Sequence, residues 1–301
     1  VRTPAGKIYA SRNPFNDLFS LTWSFELGSR EVRQLCAALR LWDLSGAGSL
    51  PAEDFKKRLY RLGTSLNYSC GEQEWSVSLS GLEKNLEPSL ALMTLRFEKP
   101  HIASDTLKRM VDVAIGAHKD NKLNPGYVHH ALGELAERGK ESGVLAELTD
   151  AELRALKPGG LRGILAGLLD FERRAAYAGL RSPETLAALL SPGGSAFLRP
   201  PPREPRRFLR PQGTRVLFAH RDMVQAMVGL SAADETFNPQ RKTDYDFYGM
   251  YMGADPIAAA ARQMLPGFLA LTIMLSGWMG AEQVRATRAR QAALTAAAYS
   301  G

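Results

Sequence analysis

The chain has 301 residues, of which 45% are apolar and 23% are charged, and these are the values of an ordinary globular protein. This composition excludes disorder along most of the chain, and the length accommodates two domains of ordinary size. The formal net charge of +7 slightly favours acidic partners but does not by itself indicate nucleic-acid binding.

The N-terminal third of the sequence predicts a strand, two helices and two further strands. Residues 17–27 carry apolar side chains typical of a strand, and residues 30–44 repeat apolar side chains every three or four positions, as an amphipathic helix does. A short helix is predicted to begin at Pro51 and to end at Gly63. Strands are predicted at 66–70 and at 75–80, where Trp75, Val77 and Leu79 alternate with serines.

The following residues predict mostly helices. Helices are predicted at 83–97, 104–119, 125–138 and 150–157, followed by a strand at 173–179 and a helix at 183–190. Because helices separate some strands while two strands are adjacent, the order predicts an α+β fold. In such a fold the helices pack on one face of a largely antiparallel sheet.

The composition changes after residue 190. Six prolines fall between positions 192 and 211, and several arginines lie among them, which is typical of an extended linker. We therefore predict a complete α+β domain at 1–192, a linker at 193–213 and a partial second α+β domain at 214–301. The second domain is expected to begin with strands at 214–219 and 223–230.

The two cysteines, Cys36 and Cys70, are too few for a disulfide scaffold. We expect two unpaired, buried thiols. The chain begins at Val1 without a signal-peptide pattern and is interpreted as a fragment or a processed piece.

Several segments carry a resemblance to a known family. The matching segments are NDLFSL at 16–21, LYRLGTSLNYSCG at 59–71, VSLSGLEKNLEPSLAL at 77–92, LKPGGL at 156–161 and DMVQA at 222–226. Over roughly residues 10–250 the chain resembles the insulinase/pitrilysin-type (inverzincin) zinc metallopeptidases, specifically the half without zinc. The resemblance implies a half-unit of the type found in mitochondrial processing peptidase. Residues 253–301 depart from the family pattern.

The catalytic signature of that family, His-x-x-Glu-His on a helix, does not occur in this sequence. The five histidines are His101, His118, His129, His130 and His220. The nearest cluster is formed by His129, His130, Glu134 and Glu137 on one predicted helix, and we interpret His130 and Glu134 as a polar pair on a solvated face. We therefore predict no catalytic residue, no metal site and no cofactor in this chain, and we expect zinc in a partner half.

The resemblance also implies an Arg and a Tyr that contact the substrate near the scissile carbonyl. Arg288 and Tyr299 are the candidates in this chain, although their spacing differs from the family motif. Substrate-binding residues are otherwise not assigned by the sequence.

Two other interpretations arise from composition. The arginines around residues 199–215 suggest nucleic acid, but they lie among prolines with few aromatic residues, so a solvated linker is favoured. Residues 263–281 lack formal charge over a length close to a membrane span, but they contain Pro266 and three glycines. A buried segment is favoured there, and a membrane-anchored fragment is the weaker alternative.

The resemblance implies a non-catalytic half of a zinc metallopeptidase, which helps to enclose and position peptide substrates for a zinc-bearing half. The expected partners are that half, from the same parent chain or a separate subunit, and the peptide substrate. The alternative is a binding or assembly protein with the same fold and no peptidase role, like the related core subunits of respiratory complexes. The family favours a periplasmic or otherwise extracytoplasmic location.

Overall fold

The computed structural model describes residues 2–3, 6–190, 197–202, 209, 213–220, 227, 239 and 244. The chain divides into two compact units. The first comprises Val1–Lys119 and Ala146–Pro205, and the second comprises Asp120–Leu145 and Arg206–Gly301. The strands found in the described residues all belong to the first unit. The domain boundaries predicted at 192 and 213 stay predictions.

The bounds of the described elements are as follows. The strands are β1 (Arg2–Thr3), β2 (Gly6–Arg12), β3 (Leu18–Phe25), β4 (Gly46–Ala47), β5 (Thr64–Cys70), β6 (Trp75–Leu82), β7 (Pro100–His101) and β8 (Arg173–Gly179). The helices are α1 (Leu35–Asp43), α2 (Ala52–Arg61), α3 (Leu86–Glu98), α4 (Thr106–Leu123), α5 (Pro125–Arg138), α6 (Gly143–Ala146), α7 (Asp150–Arg154), α8 (Pro158–Leu168) and α9 (Pro183–Leu190).

Six strands form one sheet in the order β1-β2-β8-β3-β6-β5. Every neighbouring pair is antiparallel except β2 and β8, which run parallel. The strands β4 and β7 form a separate two-stranded ladder. The α+β fold with a largely antiparallel sheet is confirmed.

One face of the sheet forms the core of the first unit. In β3, Leu21, Trp23 and Phe25 are almost fully buried, whereas the side chains between them are half-buried or exposed. This period of two places alternate side chains on opposite faces. Phe25 stacks on Trp75 of the neighbouring strand with ring centroids 4.1 Å apart, which adds to the burial of both rings.

Helices cover this buried face. The apolar side of α1 contributes Leu35, Leu39 and Trp42, each fully buried, at helical spacing. The helix α8 contributes Leu161, Leu165 and Leu168 in the same way. These side chains and the buried strand residues belong to a single hydrophobic cluster, so one core holds the helices against the sheet.

Several secondary-structure predictions differ from the structure. The strand β2 was not expected, because its only buried side chain is Ile8 and its sequence lacks alternation. The helix α8 was not expected, because Gly159, Gly160 and Gly163 argue against a helix, yet the three buried leucines stabilise it through packing. Residues 214–219 form no strand, and most of the predicted strand at 223–230 lies outside the described residues.

The prediction of two unpaired thiols is wrong, because Cys36 and Cys70 form a disulfide. Cys36 lies in α1 and Cys70 ends β5, and their Cα atoms are 5.5 Å apart although 34 residues separate them in sequence. The sequence gives no sign of this proximity, since it depends on how α1 packs beside the end of β5. The bond therefore links a core helix covalently to a strand at the sheet margin.

A buried polar cluster joins β8 to the segment after β6. The Tyr177 hydroxyl lies 2.7 Å from both carboxylate oxygens of Glu83 and accepts the Arg181 backbone N–H at 3.0 Å. Glu83 also accepts the Leu180 N–H at 3.1 Å and the Arg181 Nε–H at 3.3 Å. Burial, followed by the hydrogen bond to Glu83 and then its charge, raises the pKa of Tyr177 to about 12.

We expect Tyr177→Phe to lower the free energy of unfolding by about 1–3 kcal/mol at neutral pH, because Glu83 loses a buried donor. An unfolded tyrosine has a pKa of about 10, so the folded chain binds the phenol proton more tightly. This tighter binding of the proton stabilises the folded state below pH ~10, and the stabilisation disappears as the pH rises towards ~12.

Urea unfolding of both proteins from pH 8 to 12 measures the effect. The wild type should lose stability above pH ~10 more steeply than Tyr177→Phe does. Tyr60→Phe is the matched control, since Tyr60 is 86% exposed. Equal pH slopes for the wild type and Tyr177→Phe would contradict the assignment.

Candidate functional site

The substrate-binding candidates Arg288 and Tyr299 lie outside the described residues, as does the uncharged segment 263–281. Within the described part of the chain, no helix is both long enough and apolar enough to cross a membrane.

The histidine-containing cluster is placed on α5. His129 is half-buried and His130 is exposed. The Glu134 carboxylate, which was expected to pair with His130, instead forms an ion pair with Arg138 at 3.3 Å and accepts the Gly143 N–H at 3.1 Å. The described residues contain no group of three or more side chains placed to hold a metal ion.

Another histidine contact was missed by sequence reasoning. His118 Nδ1 lies 2.7 Å from Asp150 Oδ1, and both side chains are partly buried. Asp150 begins α7, so this contact ties that short helix to α4 across 32 positions. Its position between two helices of the first unit indicates a structural role.

The second face of the six-stranded sheet carries a polar surface. Fifteen side chains on it are exposed or half-buried, and strand register aligns them in three rows of five. We call these fifteen residues the open face. The first row is Ser11, Ala178, Ser20, Ser80 and Ser65; the second is Tyr9, Ala176, Thr22, Ser78 and Asn67; the third is Lys7, Arg174, Ser24, Ser76 and Ser69.

The open face is hydroxyl-rich and contains no carboxylate. Of its charged members, Arg174 forms ion pairs with Glu74 at 3.1 Å and Glu26 at 3.6 Å, which offset its charge. Serine, threonine and asparagine side chains both donate and accept hydrogen bonds. The face is therefore suited to contact polar backbone groups of another chain without a strong preference for charge.

Beyond the first row, the surface becomes apolar. Leu18 and Leu82 lie directly opposite each other and are 47% and 39% exposed. Leu180 follows β8 at the same end of the sheet and is 45% exposed. The surface thus changes along the strands from apolar, through hydroxyl-rich, to charged.

The strand β5 forms one margin of the sheet, and within the described residues its strand partner is β6. A marginal strand presents backbone N–H and C=O groups to which an extended chain can add as a further strand. Its alternate residues Ser65, Asn67 and Ser69 also belong to the open face. An extended segment added at β5 would therefore continue the rows of the open face.

The sequence contained a signal for this surface. The alternation of serines with apolar residues in β6 was recognised, but only as a sign of one buried face. The same alternation occurs in β3, with Ser20, Thr22 and Ser24, and in β5. The order of the strands in the sheet could not be deduced from the sequence. The sequence therefore did not show that the polar residues of these strands form one surface.

Comparisons with known proteins give structural neighbours only. No protein family matches the sequence, and no curated protein matches it. A solved structure of a peptidase M16 inactive domain from Pseudomonas fluorescens superimposes with a TM-score of 0.57 at 17% identity, over 69% of this chain and 52% of that chain. A protease from Helicobacter pylori gives 0.51 at 13% identity, over 67% and 52%.

A third neighbour is a ferredoxin protease, FusC, solved in complex with Arabidopsis ferredoxin. It gives a TM-score of 0.58 at 14% identity over 68% of this chain. The matched region spans 24% of that protease and about half of the other two neighbours. At these identities the likeness concerns the fold, and the chain therefore has the fold of an M16-type peptidase domain.

Proposed function

We propose that this chain is a non-catalytic half of an insulinase/pitrilysin-type zinc metallopeptidase, corresponding to the half without zinc. In this role it helps to enclose and orient an extended peptide, which a zinc-bearing half then hydrolyses. The observation that supports this proposal most directly is the open face, whose fifteen aligned side chains lie on the side of the sheet opposite the helix-covered core. The structural likeness to an inactive M16 domain supports the proposal.

The physical role follows from the chemistry of the surface. Serine and threonine hydroxyls lack the reactivity to cleave peptides unless a positioned base activates them, so the open face supplies contact rather than bond cleavage. A wall that fixes an extended substrate and excludes water lowers the barrier for a reaction performed elsewhere. The open face and the margin at β5 offer side-chain and backbone hydrogen bonds for this purpose.

The primary test is a quenched-fluorescent peptide assay of this chain alone, of a zinc-bearing half from the same source alone, and of the mixture. We expect no cleavage by this chain, and a gain of roughly tenfold or more in the mixture through orientation of the substrate. Cleavage by this chain alone that a chelator abolishes would overturn the proposal. An unchanged rate in the mixture would instead favour an assembly protein of the same fold.

A variant of the open face sharpens this test. Ser80 lies on β6, between Ser20 and Ser65 in the first row, so Ser80→Arg should remove most of the gain by placing a bulky cation on the open face. Ala91→Arg introduces the same residue at an exposed position of α3 and should leave the gain intact. Equal gains for the two variants would contradict a role for the open face.

An extracytoplasmic location, including the periplasm, is part of the proposal. The disulfide between Cys36 and Cys70 supports it, since such bonds persist in oxidising compartments and are rare in the cytosol. Zinc is proposed for the partner half, and the proposed partners remain that half and the peptide.

A further inference from the structure

A cavity of about 590 Å3 lies on the first unit, away from the residues of the open face. The end of α3, the strand β7 and the helix α8 contribute its walls. The residues that matter chemically are Gly48, Glu98, Lys99, His101, Arg162 and Gly163. The volume falls within the range of small-molecule sites and is much larger than a single inorganic ion requires.

The charged side chains around the cavity are mostly positive. Within the described ranges, neither the Lys99 ammonium nor the Arg162 guanidinium forms an ion pair. Glu98 is the single carboxylate among the lining side chains. Two permanent cations and one imidazole therefore share the cavity with one anion.

The imidazole of His101 has a fixed orientation. The pairing of β4 with β7 sets Gly46 opposite His101, and the Gly48 N–H donates to the Lys99 carbonyl at 2.8 Å. His101 Nδ1 lies 3.2 Å from the Gly48 carbonyl oxygen, which can only accept, so the Nδ1 proton is donated there. The second ring nitrogen, Nε2, then carries a lone pair and is left to accept a hydrogen bond.

The opposite side of the cavity is kept open by small residues. Gly163 and Ala166 lie on α8, and a side chain added at Gly163 would meet no atom within 4 Å. Arg162 adjoins them, and its planar guanidinium is suited to bidentate contact with a carboxylate or a phosphate. Lysine supplies a point charge for the same kind of group.

We propose that this cavity binds a small organic polyanion carrying carboxylate or phosphate groups. Lys99 and Arg162 contact its oxygens, and Glu98 weakens binding by repulsion. This site is separate from the open face and does not depend on the proposed role in peptide hydrolysis.

The test is isothermal titration calorimetry of the full chain at constant ionic strength, with citrate and pyrophosphate as probes and uncharged inositol as the control. We expect saturable binding of at least one anion and none of inositol. Citrate binding alone would assign carboxylates, pyrophosphate binding alone would assign phosphates, and both would assign the shared oxyanion chemistry. Saturable binding of neither anion would overturn the proposal.

Variants that remove either a positive or a negative charge from the cavity test whether anion binding depends on that charge. Lys99→Met and Arg162→Met should each weaken binding roughly two- to fivefold, whereas Glu98→Gln should tighten it by a similar factor. Lys57→Met is the control, since Lys57 is an exposed residue of α2 that pairs with Asp54 outside the cavity. The melting temperature of each variant without ligand reports its folding. Shifts of Lys99→Met and Glu98→Gln in the same direction would overturn the assignment.

Discussion

Replacing Arg96 by methionine is expected to lower the free energy of unfolding by about 3–5 kcal/mol, the largest effect of a single substitution considered for this chain. The Arg96 side chain is 3% exposed. Its Nε and Nη2 groups donate to the Ser45 carbonyl at 3.1 and 2.8 Å, and Nη2 also donates to the Asp43 carbonyl. The substitution leaves both carbonyls without these donors.

The surroundings of Arg96 explain why methionine does not compensate. The guanidinium lies between Trp42 and Phe55, 4.6 and 4.5 Å from their ring centroids, so it holds two aromatic side chains together as a cation–π contact. Burial lowers the pKa of Arg96 to about 10, and the group therefore remains charged at neutral pH. Its charge is offset by Asp43 at 3.8 Å.

Urea unfolding followed by tryptophan fluorescence measures this effect, because Trp42 is in contact with the substituted residue. Arg109→Met is the matched control. Within the described residues, the ion-pair partner of Arg109 is Asp105, and the Arg109 side chain is 70% exposed, so we expect a loss below ~1 kcal/mol. Similar losses for Arg96→Met and Arg109→Met would show that burial of the Arg96 guanidinium is not important for stability.

Removing the disulfide is expected to produce the second largest loss. For a bond that closes a segment of 34 positions, the chain-entropy treatment gives roughly 3–4 kcal/mol for Cys36→Ala combined with Cys70→Ala. For a chain of this size the melting temperature should fall by roughly 10 °C. Differential scanning calorimetry measures both quantities.

A reducing agent provides the internal control. Addition of a strong reductant should lower the melting temperature of the wild type towards that of the double variant. The melting temperature of the double variant should not change, since no other cysteine is present. A wild type that keeps its melting temperature after its thiols have been shown to be reduced would contradict the expected contribution of the bond.

The sequence predicted the elements whose apolar residues have a clear period. The strand β8 at 173–179 and the helices at 125–138 and 183–190 have the predicted bounds, because alternation or helical spacing is unbroken there. Gly63 ends α2 with a φ of 59°, as its position after the last buried leucine suggested. The α+β layering followed from the order of these elements.

Features that depend on distant packing were not predictable. Arg96 and Arg173 are examples, since arginine normally marks a solvated position. Arg173 lies over the Trp23 ring at 4.2 Å and donates to the Leu169 and Leu190 carbonyls, and burial lowers its pKa to about 10. The partners of both arginines come from other elements, so neither local pattern nor composition reveals them.

The candidate site was predicted only in outline. The resemblance implied a surface that helps to enclose and position a peptide, and the structure contains a marginal strand and an open face. The residues on that face became recognisable only when strand register aligned them. The sequence named Arg288 and Tyr299 instead, and these lie outside the described residues.

The position of β8 has a consequence for how the first unit is made. The strand β8 (173–179) lies between β2 (6–12) and β3 (18–25) in the sheet. In the sequence, however, β2 and β3 follow each other after a short connection, and β8 comes much later. A growing chain therefore releases two successive strands whose common neighbour has not yet been synthesised. A direct β2–β3 hairpin is the competing product, and long-range pairing of this kind is slow and prone to misassembly. Completion of the sheet must await the release of residues 173–179, so the sheet can be completed only after the helices α1 to α8 have been synthesised.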